Sequence, residues 1–291
     1  MTPPFRFANI RGARLAWNQT GRGPAAVWAH GMSSNSYGQE SSGQFDWRAV
    51  SSEHRLIRYD ARGHGRSSGG RTADEYTWPQ LASDLVALLD ITAPGERVHA
   101  IGASMGTATI LCAALVAPER FDRLVLTTPP TIWDSRRALT PLRVSDADAI
   151  ERRGLAAYTR AAPNVPASPA LAETKRYVGR VAVRSSIYPW VLRGSAITDL
   201  PPADEFGALT QPSLILAWTG DPAHPVSSGE LSPRRFRMPN CAWRRRRALC
   251  VPGPMWSQTS SPRPDQFGVK LSTAEWLPER LRHQRLLTNT P

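Results

Sequence analysis

The sequence has few cysteines, and the three it has do not make a disulfide framework. Cys112, Cys241 and Cys250 are the only ones among 291 residues, a small and odd number for a chain of this length. Cys241 and Cys250 lie nine positions apart, without Cys-x-x-Cys spacing or a nearby histidine, which argues against a zinc site. Cys112 falls in the apolar run TATILCAALVA and is expected to be a buried free thiol.

Long apolar runs are also missing. No stretch approaches the roughly 20 apolar residues that a membrane-spanning helix needs. The first residues, MTPPFRFANIRGARLAW, lack the apolar centre of a secretory signal. Hydrophobic residues nevertheless make up 41% of the chain, which is typical of a globular protein. We therefore expect a soluble, cytoplasmic protein.

Acidic residues become scarce near the end of the chain. The net charge is +12, yet residues 1–231 hold 24 Lys and Arg against 21 Asp and Glu, whereas residues 232–291 hold 12 against 3. The stretch NCAWRRRRALC at 240–250 contains four consecutive arginines. Arginine clusters bind phosphate, but no nucleic-acid-binding fold surrounds this one. We predict neither a nucleic-acid partner nor a membrane partner.

Strand-like and helix-like segments alternate up to about residue 130, as they do in a parallel α/β sheet. Residues 131–205 contain helical pieces broken by proline and glycine, and PSLILAWTGD at 212–221 resumes the strand pattern. The pattern predicts an α/β core of residues 1–130 and 206–231, a helical cap of residues 131–205 and an atypical basic tail of residues 232–291. Within the tail, only residues 272–287 have helix-like spacing.

A Gly-x-Ser-x-Gly motif lies at Gly102-Ala103-Ser104-Met105-Gly106, between a predicted strand and a predicted helix. In that setting a tight turn exposes the serine hydroxyl, and the small flanking residues avoid clashes. The helix that follows directs its N-terminus toward the site and favours negative charge there. We predict that Ser104 is a nucleophile; a serine at this position could otherwise only cap the helix.

Four motifs together resemble the α/β-hydrolase fold, and within it the capped esterase, lactonase and cofactor-free haloperoxidase-like group. They are AHGMSSNS, YDARGHGRS, IGASMG and LILAWTGDPAHP, spread over about residues 8–231. The resemblance implies a mostly parallel central sheet flanked by helices, no metal and no organic cofactor. It also implies an oxyanion hole formed by the backbone amides of Met32 and Met105, and structural roles for His30 and His64.

The same resemblance implies that Asp221 is the acid of a catalytic triad, with Asp134 as a second candidate. The family then expects a histidine about 25–30 residues after the acid, but residues 245–255 contain none. His224 is only three residues from Asp221, which we take to be too close for a triad base. The remaining candidate is His283, 62 residues beyond Asp221.

Two hypotheses account for the missing histidine. In the first, the tail folds back and His283 acts as the base. In the second, the loss of periodicity after Leu231 marks a reading-frame change that replaced the C-terminal part of a GC-rich gene. The other two frames of the gene's last 180 or so bases would then encode a strand followed by a Gly-His motif.

The sequence thus predicts a serine hydrolase that cleaves a small carboxylic ester or lactone, impaired if no base is present. A non-catalytic pseudoenzyme, or the product of a disrupted frame, is the first alternative. A cofactor-free perhydrolase or a carbon–carbon bond hydrolase would use the same residues, because a fold does not fix the reaction. Trp133, Tyr188 and Trp190 are candidate pocket walls.

Overall fold

A nine-stranded sheet runs through the protein. The computed structural model describes residues 3–161, 181–217, 220–221 and 223–229, and the backbone of 241–245, 248–250 and 270–271. In chain order, the strands of the sheet are β1 (Arg6–Ile10), β2 (Ala13–Thr20), β3 (Ala25–Ala29), β5 (Arg55–Tyr59), β6 (Val98–Ala103), β7 (Phe121–Thr127), β8 (Ser213–Ala217), β9 (Cys241–Arg245) and β10 (Ala248–Cys250).

The spatial order of the strands is β1-β2-β5-β3-β6-β7-β8-β9-β10. Strands β1 and β2 form an antiparallel hairpin across Arg11 and Gly12, which both have positive φ. Strand β2 pairs antiparallel with β5, the pairs from β5 through β9 are parallel, and β10 returns antiparallel to β9. The predicted α/β class with a mostly parallel sheet is confirmed.

Helices flank the sheet, and four of the described helices lie between β7 and β8. They are α1 (Gly38–Ser41), α2 (Arg48–Glu53), α3 (Trp78–Thr92), α4 (Met105–Val116), α5 (Trp133–Arg137), α6 (Thr140–Arg153), α7 (Leu155–Ala161), α8 (Tyr188–Ile197) and α9 (Val226–Gly229). Three short 3-10 turns lie at Asp74–Tyr76, Pro118–Arg120 and Ala203–Ala208. None of the helices in the described part of the chain combines the length and apolarity of a membrane-spanning segment.

The core has a layer on each face of the sheet. Helices α3 and α4 pack on one face, and α4 is buried at every position from Met105 to Ala114. Cys112 lies in this layer as a free thiol, as predicted, and burial raises its pKa to about 12. On the other face, Trp28 packs against Phe45 and Trp47, with ring centroids 4.8 and 4.6 Å away.

A third apolar cluster lies among the helices between β7 and β8. It contains Ile150 of α6 and Val191 of α8, together with Tyr76 from the 3-10 turn before α3. Met32 packs against both this cluster and the core of the sheet. The two apolar regions therefore meet at the loop that follows β3.

The segment after residue 231 contains strands that the sequence pattern did not predict. No strand was expected after residue 231, but the backbone of β9 pairs parallel with β8 and that of β10 pairs with β9. An unpaired strand edge offers a row of free backbone donors and acceptors, and these can order a segment whose side chains show no alternation. A two-residue strand, β11 (Lys270–Leu271), also pairs with β4 (Phe45–Asp46). The predicted helix at 272–287 lies outside the described residues.

Candidate active site

Ser104 lies in a strained turn between β6 and α4. Its backbone has φ +52° and ψ −113°, a conformation that a residue with a side chain rarely adopts. A Cβ atom added to Gly106 would lie 2.0 Å from the carbonyl oxygen of Ala29, and one added to Gly102 would lie 2.7 Å from the carbonyl carbon of Gly106. Both glycines of the motif are therefore required by close backbone packing.

Two threonines hold this turn in place. The amide of Ser104 donates a hydrogen bond to the carbonyl of Thr127 on β7 at 3.1 Å. The Thr107 hydroxyl lies 3.1 Å from the carbonyl of Gly102 and 2.9 Å from that of Thr127, and the Thr127 hydroxyl donates to Gly102 at 2.9 Å. Such buried polar networks fix one backbone conformation.

The imidazole of His224 bridges Ser104 and Asp221. Its Nε2 lies 2.8 Å from the Ser104 hydroxyl oxygen, and its Nδ1 lies 2.9 Å from Oδ2 of Asp221. In the neutral ring, Nδ1–H donates to the carboxylate, and Nε2 is left to accept the serine proton. This is the arrangement of nucleophile, base and acid found in serine hydrolases.

The prediction that His224 is too close to Asp221 is therefore wrong. The chain turns sharply after Asp221: the amide of Ala223 donates to Oδ1 of Asp221 at 3.0 Å, and the amide of His224 donates to the Asp221 carbonyl at 3.3 Å. An aspartate that accepts from the backbone two residues onward forms a compact turn. In such a turn, side chains three positions apart come within hydrogen-bonding distance.

Asp221 is suited to act as an anion. It is buried, and burial alone would raise its pKa. The hydrogen bond and charge interaction with His224, together with the amides of Ala223 and His224, outweigh that effect and leave the pKa below its ordinary value. The carboxylate is therefore ionised at neutral pH and would stabilise a positively charged imidazole.

The loop after β3 lies beside the serine. A Cβ atom added to Gly31 would be 3.6 Å from the Cβ of Ser104. The Gly31 amide donates to the side-chain oxygen of Gln39 at 3.0 Å, and the Gly31 carbonyl accepts from Ser34 at 3.1 Å. Among the described residues, the amides of Met32 and Met105 have no hydrogen-bond acceptor, so both remain available to a substrate oxygen.

The described residues between β7 and β8, which we call the cap, contact this loop at Ser33, which has φ +68°. The Ser33 hydroxyl lies 2.7 Å from the Tyr188 hydroxyl of α8, and the Ser33 carbonyl accepts from the amide of Ala182 at 2.7 Å. These two contacts, which we call the Ser33 tether, restrain the backbone next to Met32.

His30 and His64 lie under the loop as a buried pair, with ring centroids 5.2 Å apart. His30 donates through Nδ1 to the Gly31 carbonyl and accepts through Nε2 from the Ala61 amide. His64 donates through Nδ1 to the Arg62 carbonyl, and burial lowers its pKa to about 3. Burial also lowers the pKa of His30, so both rings are neutral and hold backbone in place.

A small cavity of about 30 Å³ opens over Ser104. Its lining comes from the loop after β3, the turn after β5, the Ser104 turn, the region of α3, the loop after β7 and the cap: Met32, His64, Tyr76, Trp78, Leu81, Ser104, Met105, Pro130, Arg136, Arg143, Val191 and Ser195. The described residues contain no cluster of three or more His, Cys, Asp or Glu side chains that could hold a metal ion.

A family-wide sequence profile for the alpha/beta hydrolase fold matches residues 27–242, which is most of the chain. The chain belongs to the α/β-hydrolase fold family. The match ends within β9 and leaves residues 243–291 outside it.

The curated relatives of this α/β-hydrolase include proteins named for different hydrolase activities. A putative carbamate hydrolase of a Caulobacter species is 34% identical over 44% of this chain and 47% of its own length. A 3-oxoadipate enol-lactonase of Acinetobacter baylyi is 27% identical over 65% of this chain and 70% of its own. Several other curated relatives are matched over only 32% to 34% of their lengths.

Among solved structures, the esterase of Thermogutta terrifontis superposes with a TM-score of 0.64 at 19% identity. The superposition covers 84% of this chain and 89% of the esterase. A likeness at this identity supports the fold of this α/β-hydrolase and leaves its reaction to be argued from the site.

The other predicted residues of this α/β-hydrolase have mixed outcomes. Asp134, the second candidate acid, is solvent-exposed on α5 and pairs with Arg137 rather than with a histidine. His283 lies outside the described residues, and its role stays a prediction.

None of the predicted wall aromatics lines the cavity. Trp133 packs against the core of the sheet, Trp190 packs on the cluster of the cap and Tyr188 reaches Ser33. The aromatic walls are instead Tyr76 and Trp78.

Sequence reasoning missed Asp60, the first residue of the turn after β5. Its Oδ1 accepts from the amide and hydroxyl of Ser36 at 2.9 and 2.6 Å, and its Oδ2 accepts from the Arg66 amide at 2.8 Å. The carboxylate therefore joins the loop after β3 to the turn of the DARGHGRS motif. The sequence signal for this role was an acidic residue directly after a buried strand, close to two glycine-containing turns.

Proposed function

We propose that the protein is a serine hydrolase that cleaves small carboxylic esters or lactones. The observation that carries the proposal is the continuous hydrogen-bonded chain from Ser104 through His224 to Asp221. The strained turn at Ser104 and the free amides of Met32 and Met105 add to it. The names of the relatives, among them an enol-lactonase and an esterase, support this class of reaction.

The first half of the reaction acylates the serine. As the Ser104 oxygen bonds to the substrate carbonyl carbon, its proton moves to Nε2 of His224, and the carbonyl π pair moves to the oxygen. The amides of Met32 and Met105 would stabilise that oxyanion, and Asp221 would stabilise the imidazolium. The carbon–oxygen bond to the leaving group then breaks, and Nε2 returns the proton to the leaving oxygen.

The second half repeats these steps with water. His224 takes a proton from water while the water oxygen attacks the acyl carbon, and collapse of the intermediate breaks the bond to Ser104 and returns the proton to its oxygen. The products are a carboxylic acid and an alcohol. With a lactone, the two remain joined as a hydroxy acid. A perhydrolase or a carbon–carbon bond hydrolase would use the same residues, and no contact among the described residues favours either.

Activity-based labelling tests the proposal. We expect a fluorophosphonate probe to label Ser104, and 4-nitrophenyl butyrate to be hydrolysed at a rate that Ser104→Ala reduces by at least about a thousandfold. Ser227 is exposed and offers a control, since Ser227→Ala should leave labelling and turnover unchanged. Absence of both labelling and turnover in the folded wild-type protein would refute the proposal and favour a non-catalytic family member.

The Ser33 tether gives a second prediction, for the oxyanion hole. Removing one side of the Tyr188–Ser33 hydrogen bond loosens the loop that presents the Met32 amide, and a neutral hydrogen bond contributes about 1 kcal/mol. We expect Tyr188→Phe to lower kcat about fivefold with little change in KM. A double-mutant cycle with Ser33→Ala checks this: the double variant should be no worse than either single variant. Additive losses would show that the two hydroxyls act separately.

A further inference from the structure

We propose that the substrate carries a carboxylate, which Arg143 binds while Ser104 attacks. The proposal rests on the serine hydrolase function above and narrows its substrate class. Arg143 lies on cap helix α6 and lines the same cavity as Ser104.

One contact places the Arg143 guanidinium beside the loop after β3, and one of its nitrogens has no partner. Its Nη1 lies 3.8 Å from the sulfur of Met32, the residue whose amide faces the reacting carbonyl. Its Nε is buried and has no hydrogen-bond partner among the described residues. A buried donor without a partner is costly, and Arg143 also lines the cavity, where an anionic group would meet its positive charge.

Arg143 differs from its neighbours in the cap. Arg193 on α8 is paired with Asp148 and Glu151 at 2.7 and 2.6 Å, and Arg137 is paired with Asp134. Within the described ranges, no carboxylate comes within 4 Å of the Arg143 guanidinium. Arg193 and Arg137 therefore each have a direct ion pair, whereas Arg143 has none among the described residues, although the charges of Tyr188 and Asp146 raise its pKa against the effect of burial.

Arg136 adds a second positive charge to the same wall. It is 4% exposed, stacks at 3.8 Å over the Trp78 ring and donates to the backbone carbonyls of Thr198 and Ser195. It too has no carboxylate partner among the described residues. Burial and the charge of Arg143 lower the pKa of Arg136, and the charge of Asp199 acts in the opposite direction, so the two guanidinium groups repel each other.

These features favour an anionic ligand of a particular shape. Arg136 is fixed by backbone and aromatic contacts, whereas Arg143 keeps an unused donor, so Arg143 is the group free to form a paired hydrogen bond with a carboxylate. A ligand that places its ester carbonyl at Ser104 and its carboxylate at Arg143 must be short, because both residues line one small cavity. The substrate class is therefore the monoester, or the lactone, of a small dicarboxylic acid.

The test compares two 4-nitrophenyl esters built on the same five-carbon diacid. The first is 4-nitrophenyl hydrogen glutarate, which carries a carboxylate, and the second is 4-nitrophenyl methyl glutarate, which is neutral; spontaneous hydrolysis is subtracted from both. We expect the wild-type protein to prefer the anionic ester, and Arg143→Gln to reduce the ratio of the two kcat/KM values about tenfold or more, chiefly through KM. Arg143→Lys should recover part of the ratio. Arg153→Gln, an exposed arginine on the same helix, should leave both rates unchanged.

The possible outcomes separate the two proposals. Equal losses on both esters in Arg143→Gln would overturn this inference, because the guanidinium would then act on the oxyanion and not on a carboxylate. Turnover of the neutral ester with no preference for the anionic one would also overturn it, while the hydrolase function stood. A thermal-shift titration with glutarate does not depend on turnover. If glutarate raises the melting temperature of the wild-type protein but not that of Arg143→Gln, the result supports the inference. If glutarate does not raise the melting temperature of the wild-type protein, the result counts against it.

Discussion

Replacing His224 by glutamine is expected to lower kcat on 4-nitrophenyl butyrate by about ten-thousand-fold, with KM nearly unchanged. Glutamine preserves much of the volume and can still hydrogen-bond, but it cannot accept the Ser104 proton in the transition state. Loss of a triad member costs this order of magnitude, and a residual rate comes from the oxyanion hole and from binding. Stopped-flow or steady-state absorbance of released nitrophenol measures the loss.

His283→Gln is the matched comparison, because His283 is the base that the sequence alone predicted. We expect it to retain the wild-type kcat, since the base position next to Ser104 is occupied by His224. If instead His283→Gln abolished turnover and His224→Gln did not, the base would belong to the tail. Circular dichroism spectra of both variants would confirm that each remains folded.

The second large effect is expected at Gly106. An alanine there would place its Cβ 2.0 Å from the Ala29 carbonyl oxygen, and this contact is with backbone of a central strand that cannot move aside. Overpacking of this kind costs about 3 kcal/mol. We expect Gly106→Ala to lower the free energy of unfolding by at least that amount and to reduce fluorophosphonate labelling of Ser104, because the turn would shift.

Urea denaturation with a labelling time course measures both parts of that prediction. Gly207→Ala is the control, because a Cβ at Gly207 meets no atom within 4 Å, and its stability should stay within about 0.5 kcal/mol of the wild type. A Gly106→Ala protein with wild-type stability and labelling would show that the strand and the turn adjust together, against the packing argument.

The sheet was predictable because its strands are buried on both faces. A strand such as β3, AAVWA, is apolar at every position and ends at a turn, so its place in the chain is visible without a structure. The Ser104 turn was predictable for a related reason, since close packing leaves room only for glycine at 102 and 106. The segment of α1, β4 and α2 was missed because these elements are too short to show a period.

His224 could not be found from spacing alone. Distance along the chain says little about distance in space where the backbone turns back on itself, and the turn after Asp221 depends on hydrogen bonds to its own carboxylate. The walls of the cavity were misassigned for a similar reason. Whether Trp190 or Trp78 faces Ser104 depends on how the cap packs over the sheet, which is a property of tertiary structure.

The Ser33 tether has a consequence for exchanging parts among members of this family. A cap grafted from a relative would be designed to change which substrates fit. Here, however, the cap also braces the loop that presents the Met32 amide, through Tyr188 and Ala182. A transplanted cap that shapes the new cavity well but lacks an equivalent of Tyr188 would bind its substrate and turn it over slowly. An exchanged cap therefore needs a hydroxyl group at the position of Tyr188 to keep the contact with Ser33.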